Sequence, residues 1–402
     1  MISVPHALQI LKDNLPAPRI VNMALEQTLS HRLAEDIHAP EPSPRYTNSA
    51  MDGFALRWHD VSDIGNTGPV TLKIAGESQA GIPYTEVVGS AQAIRVSTGA
   101  MIPTGCDVVV RVEDADDLGH SVVIHRCRKQ WQDIRRRGEE FEQGTKILAK
   151  GLVLKARQIA LLSALGLARV AVYDTPRVSL FITGTELARH DDKQIDRYQV
   201  RDANAPMLQS SIIEAGGRVI KCLHVEDDLA TTITQMAKVV NSGCDLILCS
   251  GGVSVGNHDH VKQAAEAIGF KELFWKIKQK PGKPLYVAKK NETLLFGLPG
   301  NPVSAFMCFQ NFVMPTLAAL QGEQLLKKSI TAMAENMVCN TGKRTDFLRV
   351  GITDTPNATP TFRLLERQGS HMLTSIVDAD GYVAIEPGFS LHPGELTEVY
   401  MF

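Results

Sequence analysis

The chain has 402 residues, 44% of them hydrophobic, which is enough for about two to four globular domains with cores of their own. Its 42 Lys and Arg residues nearly balance 44 Asp and Glu residues, so the net charge of −2 excludes a general electrostatic attraction to nucleic acid or to an anionic membrane, and any anion must be bound locally. The seven cysteines include no C-x-x-C pair, which favours reduced thiols. The sequence has no apolar run near the ~18 residues of a membrane span and no basic leader, so we expect a cytoplasmic protein.

The first 33 residues have a helical pattern, since Val4, Leu8, Leu11 and Leu15 recur at helical spacing. The same pattern returns in LKARQIALLSALG, residues 154–166. Between them, short β-branched segments punctuated by Gly, Pro and Asp predict a small β domain over residues 70–124 and just beyond. We therefore expect a β domain inserted into a helical domain whose two flanks pack together.

From residue 177 to residue 322 the pattern alternates between strands and helices. RVSLFIT, RVIKCLHV and DLILCS are typical of buried strands, and helical patterns follow at residues 204–217, 227–241 and 258–269, with Asn204 and Asp227 as expected caps of the first two. This predicts a doubly wound α/β domain with ligands beyond the carboxyl ends of its strands. Short strands return after Gly322, so the predicted fold class is α/β plus β: one α/β domain, two small β domains and a discontinuous helical domain.

The turn after DLILCS has the composition of an anion-binding turn. Gly251, Gly252 and Gly256 leave the backbone bare, Ser254 adds a hydroxyl, and the helix that follows offers unpaired N–H groups. Asp259, in the first turn of that helix, would repel a bare anion, which favours an intervening hard cation. An ordinary glycine turn, with Asp259 stabilising the helix N-terminus, accounts for the same residues equally well.

Other segments are ambiguous when taken alone. Every second residue of KIKQK is lysine, so on an expected strand Lys276 and Lys280 would share one face; solvated edge-strand lysines are the alternative. GLPGNPVSAF, with Pro299 and Pro302, is typical of a rigid helix start as well as of a binding loop. Asp52 in NSAMDGFA belongs either to a plain Asp-Gly turn or to a ligand site.

In combination, the short motifs of this sequence are far more specific. The sequence resembles, over essentially its whole length, the molybdopterin molybdenumtransferase family, the MoeA-type proteins that include the E domain of gephyrin. The motifs that occur here in that family's order are NSAMDGFA, STGAMIPTGCDVVVRVED, DIRRRGEE, TGTEL, SGGVSVG, KPGKP, GLPGNPVS and RQGSH.

The resemblance implies an elongated homodimer of subunits with four domains. The active cleft would lie where the α/β domain of one subunit faces the C-terminal β domain of the other. The implied domains are a discontinuous helical domain at 1–26, 44–52 and 138–171, an inserted β domain at 27–43 and 53–137, an α/β molybdopterin-binding domain at 172–322 and a C-terminal β-barrel-like domain at 323–402.

The resemblance also implies a reaction: molybdenum from molybdate is inserted into adenylylated molybdopterin in the presence of Mg²⁺, and AMP and molybdenum cofactor are released. Catalytic positions of the family are matched by Asp259, Lys276, Lys280, Asp52 and Thr98. Substrate-binding positions are matched by Gly251, Gly252, Ser254, Gly256, Pro299, Pro302, Arg349 and Ser370. Acidic positions suited to hold Mg²⁺ directly or through water are matched by Glu186, Asp228 and Asp259.

The sequence departs from the family pattern at Thr185, Arg201, Asn257 and His258, where Asp, Tyr, Asp and Tyr are common. One acidic ligand is thereby absent and the cleft is more positive. The alternative function is that of a non-catalytic pterin-binding or scaffold paralogue. If the resemblance is set aside, the residues alone also allow another Mg-dependent nucleotide enzyme. A complete oxyanion site favours the enzyme. Contact with the molybdopterin adenylyltransferase is a further expectation.

Overall fold

The computed structural model describes residues 1–252, 260–324, 328–354 and 358–402. The chain forms two compact units. The first contains Met1–Ala34, Val153–Lys155 and Arg169–Phe402, and the second contains Glu35–Leu152 and Ala156–Ala168. The domain boundaries implied by the resemblance are finer than this division and stay a prediction.

The second unit is built around a mixed six-stranded sheet, in agreement with the β domain expected over residues 70–124. Val70–Ser78 and Gln92–Val96 run parallel, whereas the other neighbours are antiparallel. The strand order is Val108–Arg111, Gly53–Leu56, Gln92–Val96, Val70–Ser78, Ser121–Ile124 and Ala115–Asp117. The unit also contains the short strands Ile37–His38, Asn48–Ser49, Ile134–Arg135 and Lys146–Leu148 and the helices Ile64–Thr67 and Ala156–Ala164.

The helical pattern predicted for the first 33 residues is only partly right. A helix spans Val4–Asn14 and buries its apolar face in the core of the first unit. Pro16 and Pro18 follow it, and proline cannot continue a helix because it lacks the N–H group. Ile20–Ala24 is therefore a strand rather than a helix, and it pairs antiparallel with Arg169–Tyr173. The two flanks of the β domain do meet, but through strands.

The first unit contains the predicted α/β sheet. Its strands lie in the order Arg218–Val225, Arg177–Thr183, Leu246–Ser250, Thr293–Leu298, Tyr286–Lys290 and Lys271–Trp275. The first four are mutually parallel, and the last two are antiparallel to their neighbours. The helices of this part are Asn204–Glu214, Leu229–Val240 and His260–Ala267, followed by the segment Pro302–Leu320. Strand order reverses between Arg177–Thr183 and Leu246–Ser250, the position at which doubly wound sheets bind ligands.

The helical segment Pro302–Leu320 is long and apolar enough to cross a membrane, but 78% of its apolar window is buried inside the protein, as in a core helix. It consists of an α-helix at Pro302–Cys308, a π-helical turn at Phe309–Val313 and a second α-helix at Met314–Leu320. Pro315 accounts for the wide turn, because its ring has no N–H for the carbonyl of Asn311 and would clash with that carbonyl in a regular α-helix.

The C-terminal strands close into a ring, which leaves few exposed strand edges. In ring order they are Thr345–Thr353, Thr361–Leu364, Ser329–Ala334, Leu396–Met401 and Gly381–Ile385, and the last pairs back with the first. A further short strand, Gln279–Lys280, comes from the α/β part of the chain and pairs in parallel with the start of Thr345–Thr353. Smaller elements here are the strands Val338–Cys339 and Ser390–Leu391 and the helix Thr374–Val377. The predicted run of short strands after residue 322 is confirmed.

Candidate functional site

A cleft of about 540 Å³ lies at the carboxyl ends of the parallel strands, where strand order reverses. The strand ends Thr183 and Ser250 line it, together with the loops that follow them and the start of the Pro302–Cys308 helix. Arg201, at the end of the short strand Val200–Arg201, lines the same cleft. A volume of this size suits a small-molecule ligand.

Two predicted substrate-binding glycines line the cleft. Gly251 and Gly252 have φ angles of 85° and 66°, in the left-handed region that favours glycine. A Cβ atom added to Gly251 would lie 2.7 Å from the carbonyl oxygen of Thr183, so the turn needs glycine for its space as well as its backbone angle. The bare backbone expected from the sequence is present, and its role in binding substrate stays a prediction.

Asn204 was predicted as the cap of the Asn204–Glu214 helix, and that prediction is wrong. Its side chain faces across the sheet instead: Nδ2 donates to Ser250 Oγ and to the Gly300 carbonyl, both at 2.7 Å. The cap is supplied by Asp202, whose Oδ1 accepts from the Asn204 and Ala205 N–H groups at 2.8 and 3.1 Å. Asn204 therefore joins three strand-end loops around the cleft.

The expected cap of the next helix is displaced by one residue. Asp228, predicted as a metal ligand, is the N-cap of Leu229–Val240, and its side chain accepts from the Thr231 N–H at 2.7 Å. That hydrogen bond lowers the pKa of Asp228 below its ordinary value. Asp227, predicted as the cap, lines the cleft and accepts from the Thr185 N–H at 3.2 Å. The sequence pattern could not separate these adjacent aspartates.

The cleft offers oxygen ligands for a hard cation. Glu186, predicted as a metal ligand, lines it together with Asp227. Within the described ranges no three His, Cys, Asp or Glu side chains form a metal cluster by themselves. Mg²⁺ commonly takes one or two protein carboxylates and completes its shell with phosphate oxygens and water, so this pair fits it chemically. The role of Asp228 as a ligand stays a prediction, with its carboxylate already bonded to a helix terminus.

Ser254, Gly256 and Asp259, with the departures Asn257 and His258, lie outside the described residues. The described helix resumes at His260. Predictions on this segment stay predictions.

The lysines do not share one strand face, so that expectation is wrong. The strand Lys271–Trp275 ends before Lys276, whose φ of 63° is incompatible with a continued strand. The Lys276 ammonium lies 3.9 Å from the centre of the Trp275 ring, a cation–π contact. Trp275 pairs with Tyr286, and Tyr286 pairs with Gly297 near the carboxyl end of the strand Thr293–Leu298. Lys276 therefore lies at the same end of the sheet as the cleft.

Lys280 belongs to the C-terminal sheet rather than to the α/β sheet. It pairs with Asp346, and its ammonium lies 3.3 Å from that residue's Oδ2. The Lys280 side chain is 59% exposed and the Asp346 side chain 11% exposed, which leaves the lysine accessible to an anion.

Arg349 is a charged residue that is almost completely buried in this unit. It is only 1% exposed, and its Nη1 donates to the Phe347 carbonyl at 3.2 Å, whereas Nε and Nη2 have no partner among the described residues. Burial lowers the pKa of its guanidinium to about 10. A buried guanidinium with two vacant donors is suited to receive an oxyanion, because an anion would satisfy both the charge and the donors.

Ser370 reaches the cleft within the same chain. Asn301, a cleft-lining residue, donates from Nδ2 to Ser370 Oγ at 3.4 Å. The predicted substrate-binding prolines belong to the same loop: Pro299 is buried, and Pro302 is the first residue of its helix. The arrangement between subunits that the resemblance implies stays a prediction.

The remaining predicted residues, Asp52 and Thr98, lie in the second unit. Thr98 donates to Asp52 Oδ1 twice, from its backbone N–H at 2.7 Å and from its hydroxyl at 3.0 Å. These bonds fix the carboxylate on an exposed loop and connect two segments that the sequence separates by 46 residues. Their catalytic role stays a prediction.

Comparison with known proteins agrees with this architecture. Residues 2–166 match the family described as MoeA N-terminal region (domain I and II), residues 179–319 match a probable molybdopterin binding domain, and residues 332–402 match the MoeA C-terminal region (domain IV). A molybdopterin molybdenumtransferase of Haemophilus influenzae is 33% identical over 390 residues, which cover 96% of this chain and 95% of the relative. A protein of the same name from Staphylococcus aureus is 34% identical over 321 residues, covering 80% and 76%.

Solved structures show the same fold. A molybdopterin biosynthesis MoeA protein from Pyrococcus horikosii superposes with a TM-score of 0.84 at 29% identity, covering 100% of this chain and 99% of the other. A second structure, from Pyrococcus horikoshii OT3, has a TM-score of 0.77 at 26% identity and full coverage of both chains. The fold and cleft thus define a multidomain protein of the molybdopterin-binding class. More specifically, the chain belongs to the MoeA family.

Proposed function

We propose that this protein inserts molybdenum from molybdate into adenylylated molybdopterin, with release of AMP and molybdenum cofactor. Family membership assigns it to molybdenum cofactor biosynthesis with a transferase role. The observation that best supports the specific reaction is the buried Arg349 guanidinium, whose Nε and Nη2 donors have no partner in the described part of the chain. A scaffold without chemistry does not require an uncompensated buried cation, which destabilises a fold, so the scaffold alternative is not favoured.

The adenylylated pterin is proposed to bind at the sheet edge. The backbone of Gly251 and Gly252 can approach phosphate oxygens closely because no Cβ stands in the way. Lys276, held against the Trp275 ring at the same edge, places a fixed positive charge there. Together these groups would bind the pyrophosphate and stabilise the negative charge that develops on the departing AMP.

Molybdate is proposed to bind between the barrel and the cleft. Arg349 and Lys280 belong to paired strands of one sheet, and Ser370 contacts the cleft through Asn301. Molybdate is a tetrahedral dianion, and guanidinium, ammonium and hydroxyl donors match it in charge and in hydrogen bonding. Ser254, outside the described residues, is proposed as a further donor.

Mg²⁺ is proposed as the cofactor, held by Glu186 and Asp227, with Asp228 and Asp259 as further candidate ligands. When bound, Mg²⁺ would supply positive charge to the phosphoryl oxygens of the substrate. The chain's own part would be to supply two carboxylates, Glu186 and Asp227, from the lining of the cleft. The proposal includes a homodimer, a cytoplasmic location and contact with the molybdopterin adenylyltransferase, and Asp52 and Thr98 as catalytic residues.

The test is a reconstituted reaction. Purified protein is given adenylylated molybdopterin, molybdate and Mg²⁺, and AMP release is measured with each component omitted in turn. AMP release that requires molybdate supports the proposal, whereas substrate binding without turnover supports the scaffold alternative. Asp259→Ala is expected to abolish AMP release while the thermal unfolding curve stays that of the wild type. A fully active variant removes Asp259 from the proposal.

A further inference from the structure

A chain of buried side-chain hydrogen bonds connects the π-helical turn to both proposed molybdate-binding elements. Asn311 is 0% exposed and lies on that turn. Its Nδ2 donates to Gln279 Oε1 at 3.2 Å, and its Oδ1 accepts from the Tyr382 hydroxyl at 2.6 Å. Gln279 and Tyr382 are 0% and 2% exposed, so water does not compete for these bonds.

On one side, the chain holds the segment of residues 276–284, which contains Lys280. Gln279 directly precedes Lys280, and its Nε2 donates to the Pro281 carbonyl at 2.9 Å. Cys308, in the same helical segment as Asn311, donates from Sγ to the Gly282 carbonyl at 3.4 Å. A Cβ atom on Gly282 would lie 2.7 Å from both the Cys308 sulfur and Gln279 Nε2, so the segment is tightly packed against the helix.

On the other side, the chain reaches the strand opposite Arg349. Tyr382 is the cross-strand partner of Arg349 between Gly381–Ile385 and Thr345–Thr353. The two proposed molybdate-binding cations are therefore attached to one buried amide, Lys280 through its preceding residue and Arg349 through its strand partner. Asn311 makes both contacts from within the π-helical turn Phe309–Val313, where the winding differs from that of a regular α-helix.

We propose that Asn311 is a positioning residue that fixes Lys280 relative to Arg349 for molybdate binding. This proposal rests on the proposed function. Asn311 does not touch the substrate; it acts through Gln279 and Tyr382. Loss of the Gln279 bond should free the lysine segment directly, and loss of the Tyr382 bond should free the Asn311 amide that holds this segment. Small displacements of binding groups reduce rates strongly.

The test compares variants of the full-length protein. Asn311→Leu removes both hydrogen bonds, Tyr382→Phe removes only the 2.6 Å bond, and Gln310→Leu is the matched control. Gln310 is the neighbouring amide of the same turn, is 7% exposed, and has no partner for Oε1 among the described residues. The measurements are KM for molybdate, KM for adenylylated molybdopterin, kcat, and hydrogen–deuterium exchange of residues 276–284, whose Ile277 and Lys278 N–H groups are hydrogen-bonded.

We expect KM for molybdate to rise roughly tenfold in Asn311→Leu and less in Tyr382→Phe, while KM for the pterin substrate changes less than about twofold. Exchange of residues 276–284 should accelerate in the same two variants and not in Gln310→Leu. If Asn311→Leu does not fold, Tyr382→Phe decides the question.

Unchanged exchange in both variants overturns the coupling, and accelerated exchange without a change in KM for molybdate overturns the positioning role. An equal effect of Gln310→Leu would also overturn it, since general loosening of the turn then explains the data. Failure of the proposed function itself is recognised separately, because the unmodified protein would then show no molybdate-dependent AMP release.

Discussion

Replacing Arg349 with methionine is expected to stabilise the protein and to abolish its response to molybdate. The guanidinium is 1% exposed, and burial lowers its pKa to about 10. Against an ordinary arginine pKa of ~12.5, that depression corresponds to about 3 kcal/mol of unfavourable burial free energy at neutral pH. Methionine keeps much of the stem's packing, so we expect a net gain of ~1–3 kcal/mol and a rise in Tm of roughly 2–5 °C.

The sign of the pH dependence follows from the direction of the shift. Below pH ~10 the Arg349 guanidinium is charged in both the folded and the unfolded protein, so the full cost is present. As pH rises through about 10, the folded protein loses this proton before the unfolded chain does, and the cost shrinks. The stability difference between Arg349→Met and the wild type should therefore be constant near neutral pH and decrease only above pH ~10.

The assay is thermal unfolding with and without molybdate, with Arg363→Met as the control. Arg363 is exposed on the neighbouring strand Thr361–Leu364, and its replacement should change stability by less than ~0.5 kcal/mol. Molybdate should raise the Tm of the wild type and of Arg363→Met but not of Arg349→Met. Isothermal titration with Arg349→Ala should show a larger loss of affinity for molybdate than for nucleotide. A lower Tm for Arg349→Met, or an undiminished molybdate response, would refute the reasoning.

Other predictions concern the cleft. Gly251→Ala should destabilise the protein by ~1–3 kcal/mol in denaturant unfolding, since it combines a strained backbone with a contact at 2.7 Å. The control is Gly388→Ala, where φ is 76° and the added Cβ atom meets open space. This variant measures the cost of the backbone strain alone, and its unfolding free energy should fall by less. The cap formed by Asp228 should be lost on acidification, because the pKa of Asp228 is lowered in the folded protein. The difference in unfolding free energy between wild type and Asp228→Ala should be present above pH ~4 and disappear as pH falls below the folded pKa. A difference that does not depend on pH would argue against a charged cap. Glu186→Gln should raise the Mg²⁺ concentration for half-maximal AMP release at least about fivefold. The control is Glu226→Gln, at an exposed position outside the cleft lining, which should leave this concentration unchanged. Equal values for the two variants would exclude Glu186 as a ligand.

The elements that the sequence predicts well are those defined by local periodicity. The strand Arg177–Thr183 contains Val178 and the apolar run Leu180–Ile182, and the helix Leu229–Val240 has its apolar residues on one face, so both are recognisable without tertiary contacts. The helical pattern predicted up to residue 33 failed where the chain forms Ile20–Ala24, because the partner strand lies almost 150 residues away. Pro16 and Pro18 were the signal for that boundary.

The geometry of the site depends on contacts that no local pattern contains. Asn204 bonds to Ser250 and Gly300, which are 46 and 96 positions away in the sequence. Asparagine is a common helix N-cap, and this preference gave the wrong assignment because the Asn204 side chain bonds to other strand-end loops instead. The lysine pattern failed for a related reason, since Lys276 follows the last residue of a strand of the α/β sheet and Lys280 pairs with the C-terminal sheet. The family resemblance identified the residue set, and the fold determines which of its members share a surface.

The two-residue strand Gln279–Lys280 limits how this protein can be divided or recombined. It completes the edge of the C-terminal sheet at Thr345, although it is encoded well before that sheet begins. A fragment that starts at residue 328 would leave this edge bare, and exposed edges promote aggregation. Chimaeras that exchange the barrel between relatives should therefore transfer residues 276–284 with it.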